Sequence, residues 1–181
     1  MSKRYFLAIL FVLFGLTSFA QNAQRFFPKS DLMPMGIYYY PEHWNHSEWD
    51  RDIKRISELG FEFIHLAEFA WIDLEPEEGK YDFTWLDEVV NLAAKYKLKV
   101  ILGTPTAIMP VWMGIKYPEV YLMDANYHRA EHGTRSQESI SSADYRHLSV
   151  NIINELGMHY GRNPAVWGWQ LDNEPEAKAD F

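Results

Sequence analysis

From residue 35 onward the sequence alternates short apolar, β-branched or aromatic runs with longer amphipathic segments, and this alternation constrains the fold more than any other feature. Strands separated by helices form βα units on a parallel sheet. Met35 to Tyr40 reads as a first strand. Ser47 then caps a helix with Trp49, Ile53 and Ile56 on one face and Gly60 at its end, and the Ser47 to Asp50 spacing resembles a capping box. Phe61 to Phe69 reads as a second strand, and a second helix starts at Thr84 with Leu86, Val89, Val90 and Ala93 inward. Lys99 to Gly103 is the third strand. A short helical piece over Val111 to Ile115 precedes a long polar connection. Ser141 or Ser142 then caps a helix to about Tyr160 with Leu148, Ile152 and Leu156 facing the core, and Ala165 to Leu171 is the fourth strand.

Four such units make half of a (β/α)8 TIM barrel, so the expected fold class is α/β, with residues 35–181 supplying about the first four βα units. A doubly wound nucleotide-binding sheet competes with this reading. It requires a glycine-rich loop after the first strand, where Pro41-Glu42-His43-Trp44 stands instead. Barrel chemistry sits at the C-terminal ends of strands, which brings Glu42, Glu68 and Glu174 into view.

Lys3 and Arg4 precede an apolar run from Tyr5 to Leu16 that ends in Thr17-Ser18-Phe19-Ala20, the pattern of a secretory signal peptide. The run is shorter than the roughly 20 residues of a membrane-spanning helix. Residues 1–20 are therefore expected to be a cleaved leader and 21–34 a lead-in, with the protein secreted or periplasmic and not inserted in a membrane. The absence of cysteine excludes disulfides and cysteine-ligated zinc. A net charge of -8 without a Lys/Arg cluster argues against nucleic acid or an anionic membrane surface as partner. A neutral ligand fits better. Aromatic residues, 16% of the chain, suit sugar stacking and an ordinary core equally.

Glycosidic hydrolysis usually needs two carboxyl groups, one to protonate the leaving oxygen and one to act as nucleophile or base. Glu174 is the acid candidate. It follows a strand carrying Val166, Trp167, Trp169 and Leu171, and partial burial there would raise its pKa toward that of an acid protonated at neutral pH. Asn173 beside it is placed to bond a sugar hydroxyl. Read alone, Asn-Glu-Pro is also ordinary turn chemistry.

The segment Gly36-Ile37-Tyr38-Tyr39-Tyr40-Pro41-Glu42-His43-Trp44 resembles the opening strand of glycoside hydrolase family 42. Glu68-Phe69-Ala70-Trp71, Leu74-Glu75-Pro76-Glu77-Glu78-Gly79, Phe83-Thr84-Trp85-Leu86-Asp87 and Gly103-Thr104-Pro105-Thr106 are similar to successive segments of that family. So are Pro110-Val111-Trp112, Gly133-Thr134-Arg135 and Asp172-Asn173-Glu174, in the same order. The resemblance implies a TIM barrel in which Glu174, after Asn173 at the end of strand four, is the acid/base. It implies that Arg135 and Asn173 contact the sugar of the innermost subsite. The implied activity is retaining hydrolysis that releases terminal β-D-galactose or a galactose-like sugar from oligosaccharides, without cofactor. Read without the resemblance, Arg135 is a solvated loop charge.

Some members of the family carry zinc-binding cysteines near the active site. The corresponding stretch here, Arg135 to Ser142, has none, so no metal is expected. His43, His46, His128 and His132 lack the spacing of a zinc motif. Glu68 reads equally as a pocket residue or as a loop support. Trp44, Trp71 and Trp112 read as core or loop anchors more readily than as a sugar-stacking floor.

In the resembled family the nucleophile is a glutamate near the end of strand seven, with no match here, so the 181-residue chain is expected to be an inactive N-terminal fragment of a longer enzyme, for which a homo-oligomer is left open. Two readings compete with the galactosidase: another barrel glycosidase acting on β-glucosides or β-mannosides, and a non-catalytic sugar-binding remnant. A second carboxylate about 5 to 5.5 Å from Glu174 separates catalysis from binding.

Overall fold

A computed structural model describes residues 33–174. The expected leader, 1–20, and the lead-in through residue 32 lie outside the described residues, as does the end of the chain after Glu174. Strands β1 (Gly36–Tyr38), β2 (Phe63–Leu66), β3 (Lys99–Gly103) and β4 (Val166–Gln170) form one sheet in the order β1-β2-β3-β4, with every pairing parallel. The helices are α1 (Trp49–Glu58), α2 (Trp71–Leu74), α3 (Thr84–Lys95), α4 (Val111–Lys116) and α5 (Ala143–Tyr160). This is the βα succession of the first units of a TIM barrel. None of the helices among the described residues is long and apolar enough to cross a membrane.

Strand alternation divides the sheet into two faces. Ile64, Leu66, Val100 and Leu102 are fully buried in the core, which they share with Ile53 and Ile56 of α1, Leu86, Val89, Val90 and Ala93 of α3, and Leu148, Ile152 and Leu156 of α5. A large aliphatic side chain taken fully from water contributes about 1.5–3 kcal/mol, so this layer dominates the stability of the sheet. On the opposite face Tyr38, Phe63, His65, Ile101 and Gln170 line an open cavity of about 360 Å³. There the hydroxyl of Tyr38, on β1, donates to Oε1 of Gln170, on β4, at 3.2 Å.

The inward faces expected of α3 and α5 are observed, and Ser142 caps α5 by accepting from the Tyr145 N–H at 3.3 Å. The expected cap at Ser47 is not formed. Ser47 lies in a 3-10 turn, His46–Glu48, that feeds directly into α1, and the residue at the N-cap, Glu48, makes no side-chain capping bond. Gly60 ends the α1 segment at φ 89°, a conformation that costs glycine little. The strands are shorter at their ends than the apolar runs suggest, because beyond Tyr39, whose N–H still donates to the His65 carbonyl at 3.0 Å, Tyr40 leaves the ladder, as do residues 67–69, to build the rim.

Candidate active site

β2 stops at Leu66; Ala67 then takes a left-handed φ of 69°, and Glu68 follows, 3% exposed. Its backbone lies against the end of β3, so closely that a Cβ at Gly103 would come within 2.7 Å of the Glu68 Cα. Glycine is required there. The Glu68 carboxylate receives the Tyr40 hydroxyl on Oε2 at 2.8 Å and Nε2 of Gln170 on Oε1 at 2.9 Å. Burial, and then the bond to Glu68, push the Tyr40 pKa far above the usual tyrosine range, so this hydroxyl remains a donor.

After β4 the chain turns through two non-glycine residues in the left-handed region, Asp172 at φ 58° and Glu174 at φ 46°. Such conformations persist where neighbours over-determine them. Here the neighbours come from the exit of β3. Thr104 Oγ1 accepts from the Asp172 N–H at 2.7 Å, and the Thr106 hydroxyl donates to Asp172 Oδ2 at 2.9 Å. Asp172 Oδ1 in turn accepts from the Asn173 N–H at 2.5 Å, and Gln170 Nε2 donates to the Asp172 carbonyl at 2.9 Å.

This turn brings the sequence-designated residues together. Arg135 Nη2 lies 3.1 Å from Glu174 Oε2. The Asn173 amide, oriented by its partners, directs its oxygen at Arg135 Nη1, 3.0 Å away, and its nitrogen at Glu68 Oε1, 2.6 Å away. The guanidinium also lies over the Phe69 ring, 5.7 Å from its centroid, and Phe69 stacks on Tyr40 at 6.1 Å. Arg135, its side chain 52% exposed, is therefore tied to Glu174, Asn173 and Phe69 from a different loop. The expected burial of Glu174 is absent: its side chain is 70% exposed, because the turn carries it out past the end of β4.

The other carboxylates and tryptophans separate from this cluster. Glu75 is buried; its carboxylate accepts from Trp71 Nε1 at 2.7 Å and from the Gly79 N–H at 2.7 Å, and its carbonyl accepts from Trp112 Nε1 at 2.8 Å. Trp71 and Trp112 thus anchor the loop after α2. Trp44 is exposed. Glu42, in the 3-10 turn Pro41–His43, has both carboxylate oxygens buried and unpartnered among the described residues, and burial is the main cause that pushes its pKa up. Among the described residues, no group of three His, Asp or Glu side chains is placed to hold a metal ion.

Tyr40, Phe69, Gln170, Thr104 and Thr106 were not singled out by the sequence. The available signal was position: each stands at the end of a strand or one to three residues past it, where a barrel builds its site.

The family model of glycoside hydrolase family 42, described as beta-galactosidase, matches residues 38–181. The chain is 39% identical over 145 residues to the beta-galactosidase BgaA of Clostridium cellulovorans, covering 80% of this chain and 22% of that protein. It is 43% identical over 140 residues to BgaA of Thermus sp, covering 77% and 22%. Among solved structures, the polyextremophilic beta-galactosidase of Halorubrum lacusprofundi superposes with a TM-score of 0.76 at 39% identity, covering 78% of this chain and 21% of that one. A family 39 glycoside hydrolase of Bacteroides cellulosilyticus, 20% identical with a TM-score of 0.54, shares the fold. The chain thus spans about a fifth of the length of the relatives it matches.

Proposed function

Because the chain belongs to glycoside hydrolase family 42, we propose that it is the N-terminal half of the catalytic barrel of a retaining glycosidase that releases terminal β-D-galactose. The observation that carries the reading is the convergence of Glu174, Asn173 and Arg135 at the C-terminal rim of the sheet. In this reading Glu174 protonates the glycosidic oxygen as the aglycone leaves, and its carboxylate then takes a proton from the water that attacks the glycosyl-enzyme. Arg135 and Asn173 hold hydroxyl groups of the sugar in the innermost subsite. The 3.1 Å pair with Arg135, exposed on both sides, engages one Glu174 oxygen and leaves the other available. The nucleophile of the double displacement is proposed to lie beyond the residues of this sequence, about 5 to 5.5 Å from Glu174 in the assembled barrel. The leader at residues 1–20 is proposed to direct export, with mature protein starting near Gln21; intact Met1 on secreted protein would end that part of the reading.

The test is a panel of aryl β-galactosides, β-glucosides and β-mannosides offered to the full-length enzyme. Preference for the galactoside supports the proposal. Preference for glucoside or mannoside reassigns the substrate, and turnover of none of them supports a sugar-binding remnant.

A further inference from the structure

We infer that Glu68 is a positioning residue that sets which way the Asn173 amide faces and, through that amide, where the Arg135 guanidinium rests. An ionised carboxylate only accepts hydrogen bonds. An amide held against it must present its NH2 group and direct its oxygen elsewhere; here Asn173 nitrogen lies 2.6 Å from Glu68 Oε1 and its oxygen 3.0 Å from Arg135 Nη1. The bonds used are one of two amide hydrogens and one of two oxygen lone pairs, so Asn173 keeps one donor and one acceptor for a sugar hydroxyl.

Glu68 has little freedom to yield. It is 3% exposed, its backbone is pressed on Gly103, and it receives Tyr40 from the rim after β1 and Gln170 from β4. Three chain segments thus fix one carboxylate, and the carboxylate holds the amide nitrogen from the side opposite Arg135; Gln170 Nε2, 3.2 Å from that nitrogen, spends its own two hydrogens on Glu68 and the Asp172 carbonyl and so does not compete for the amide. Its neighbour Phe69 completes the support by lying under Arg135. Both residues come from the exit of β2, which contributes nothing else to the cluster.

The kinetic arm of the test rests on the glycosidase reading; the structural arm does not. In the full-length enzyme Glu68→Gln keeps the shape of the side chain but removes its acceptor-only character. The expected loss in kcat/KM on an aryl β-galactoside is about 10 to 100-fold, the scale of a small misplacement of a binding group. In an Asn173→Ala background the same substitution should change kcat/KM by less than about twofold, because the route of the effect is gone. Equal losses in both backgrounds would overturn the inference. So would a crystal structure of Glu68→Gln with the Asn173–Arg135 contact unchanged, a result that needs no turnover. Should Glu68→Gln not fold, Tyr40→Phe, which frees Oε2 alone, carries the same cycle: a loss that vanishes in the Asn173→Ala background supports the inference, and one that persists overturns it.

Discussion

Arg135 and Glu174, 39 residues apart in sequence, meet at 3.1 Å across the rim where β3 and β4 end. The pair joins a cation from a loop without regular structure to a carboxylate in a strained turn. Each orients the other.

If Glu174 is the acid/base, Glu174→Ala in the full-length enzyme should lower kcat/KM for substrates with poor leaving groups on the order of 10² to 10⁴-fold while sparing kcat/KM for activated aryl galactosides, whose kcat falls because the glycosyl-enzyme is then hydrolysed without a general base. Azide should restore turnover of the activated substrates as galactosyl azide. Equal slowing of both classes without an azide effect would remove Glu174 from the role.

Arg135→Lys should behave as a severe change, since an ammonium cannot engage Glu174 Oε2 and the Asn173 oxygen with a planar fork. Activity on an aryl galactoside is expected to fall at least about 10-fold with thermal stability retained, given the modest worth of exposed ion pairs. Unchanged kcat/KM would refute the contact.

Gly103→Ala should lose both stability and activity. The new methyl would stand 2.7 Å from the Glu68 Cα, a backbone contact that cannot rotate away, and overpacking of this kind costs about 1–3 kcal/mol. Denaturation and kinetics measured on the same preparation check it; a fully active variant of native stability would show that the β2 exit can yield.

Glu42→Gln should stabilise the protein at neutral pH. Burial raises the folded pKa of Glu42 above its ordinary value of 4.5, so the folded state binds a proton more readily than the unfolded one. The stability tied to that proton is present below about pH 4.5 and is lost as pH rises through the raised folded value. The melting temperature of Glu42→Gln should therefore exceed that of the parent at pH 7 and converge with it on acidification; a lower value at pH 7 would mean that the carboxylate has a partner in the full-length protein.

The helices α3 and α5 and the parallel order of strands were legible in the sequence because their signals are local: apolar spacing and the Ser142 cap. Asn173 and Glu174 were legible as candidates because their position after a strand and their resemblance to the family agreed. The bonding of Glu68 was not, since its protein donors Tyr40 and Gln170 lie 28 and 102 residues away and only the folded sheet brings them to it. Trp112, 37 residues from Glu75, gave no hint of the acceptor it shares with Trp71 for the same reason. The exposure of Glu174 was hidden too, because apolar neighbours in sequence say nothing about the left-handed turn that carries the side chain away from them.

The bond from Tyr38 to Gln170 measures the curl of the sheet. In a flat sheet β1 and β4 would stand roughly 14 Å apart, three strand spacings of about 4.8 Å, farther than a tyrosine and a glutamine readily bridge. Their 3.2 Å contact is a chord drawn across an arc, so the bend belongs to these four strands themselves. Strands arriving later to close the cylinder would meet an edge already angled to receive them, and closure becomes a matter of joining rather than bending.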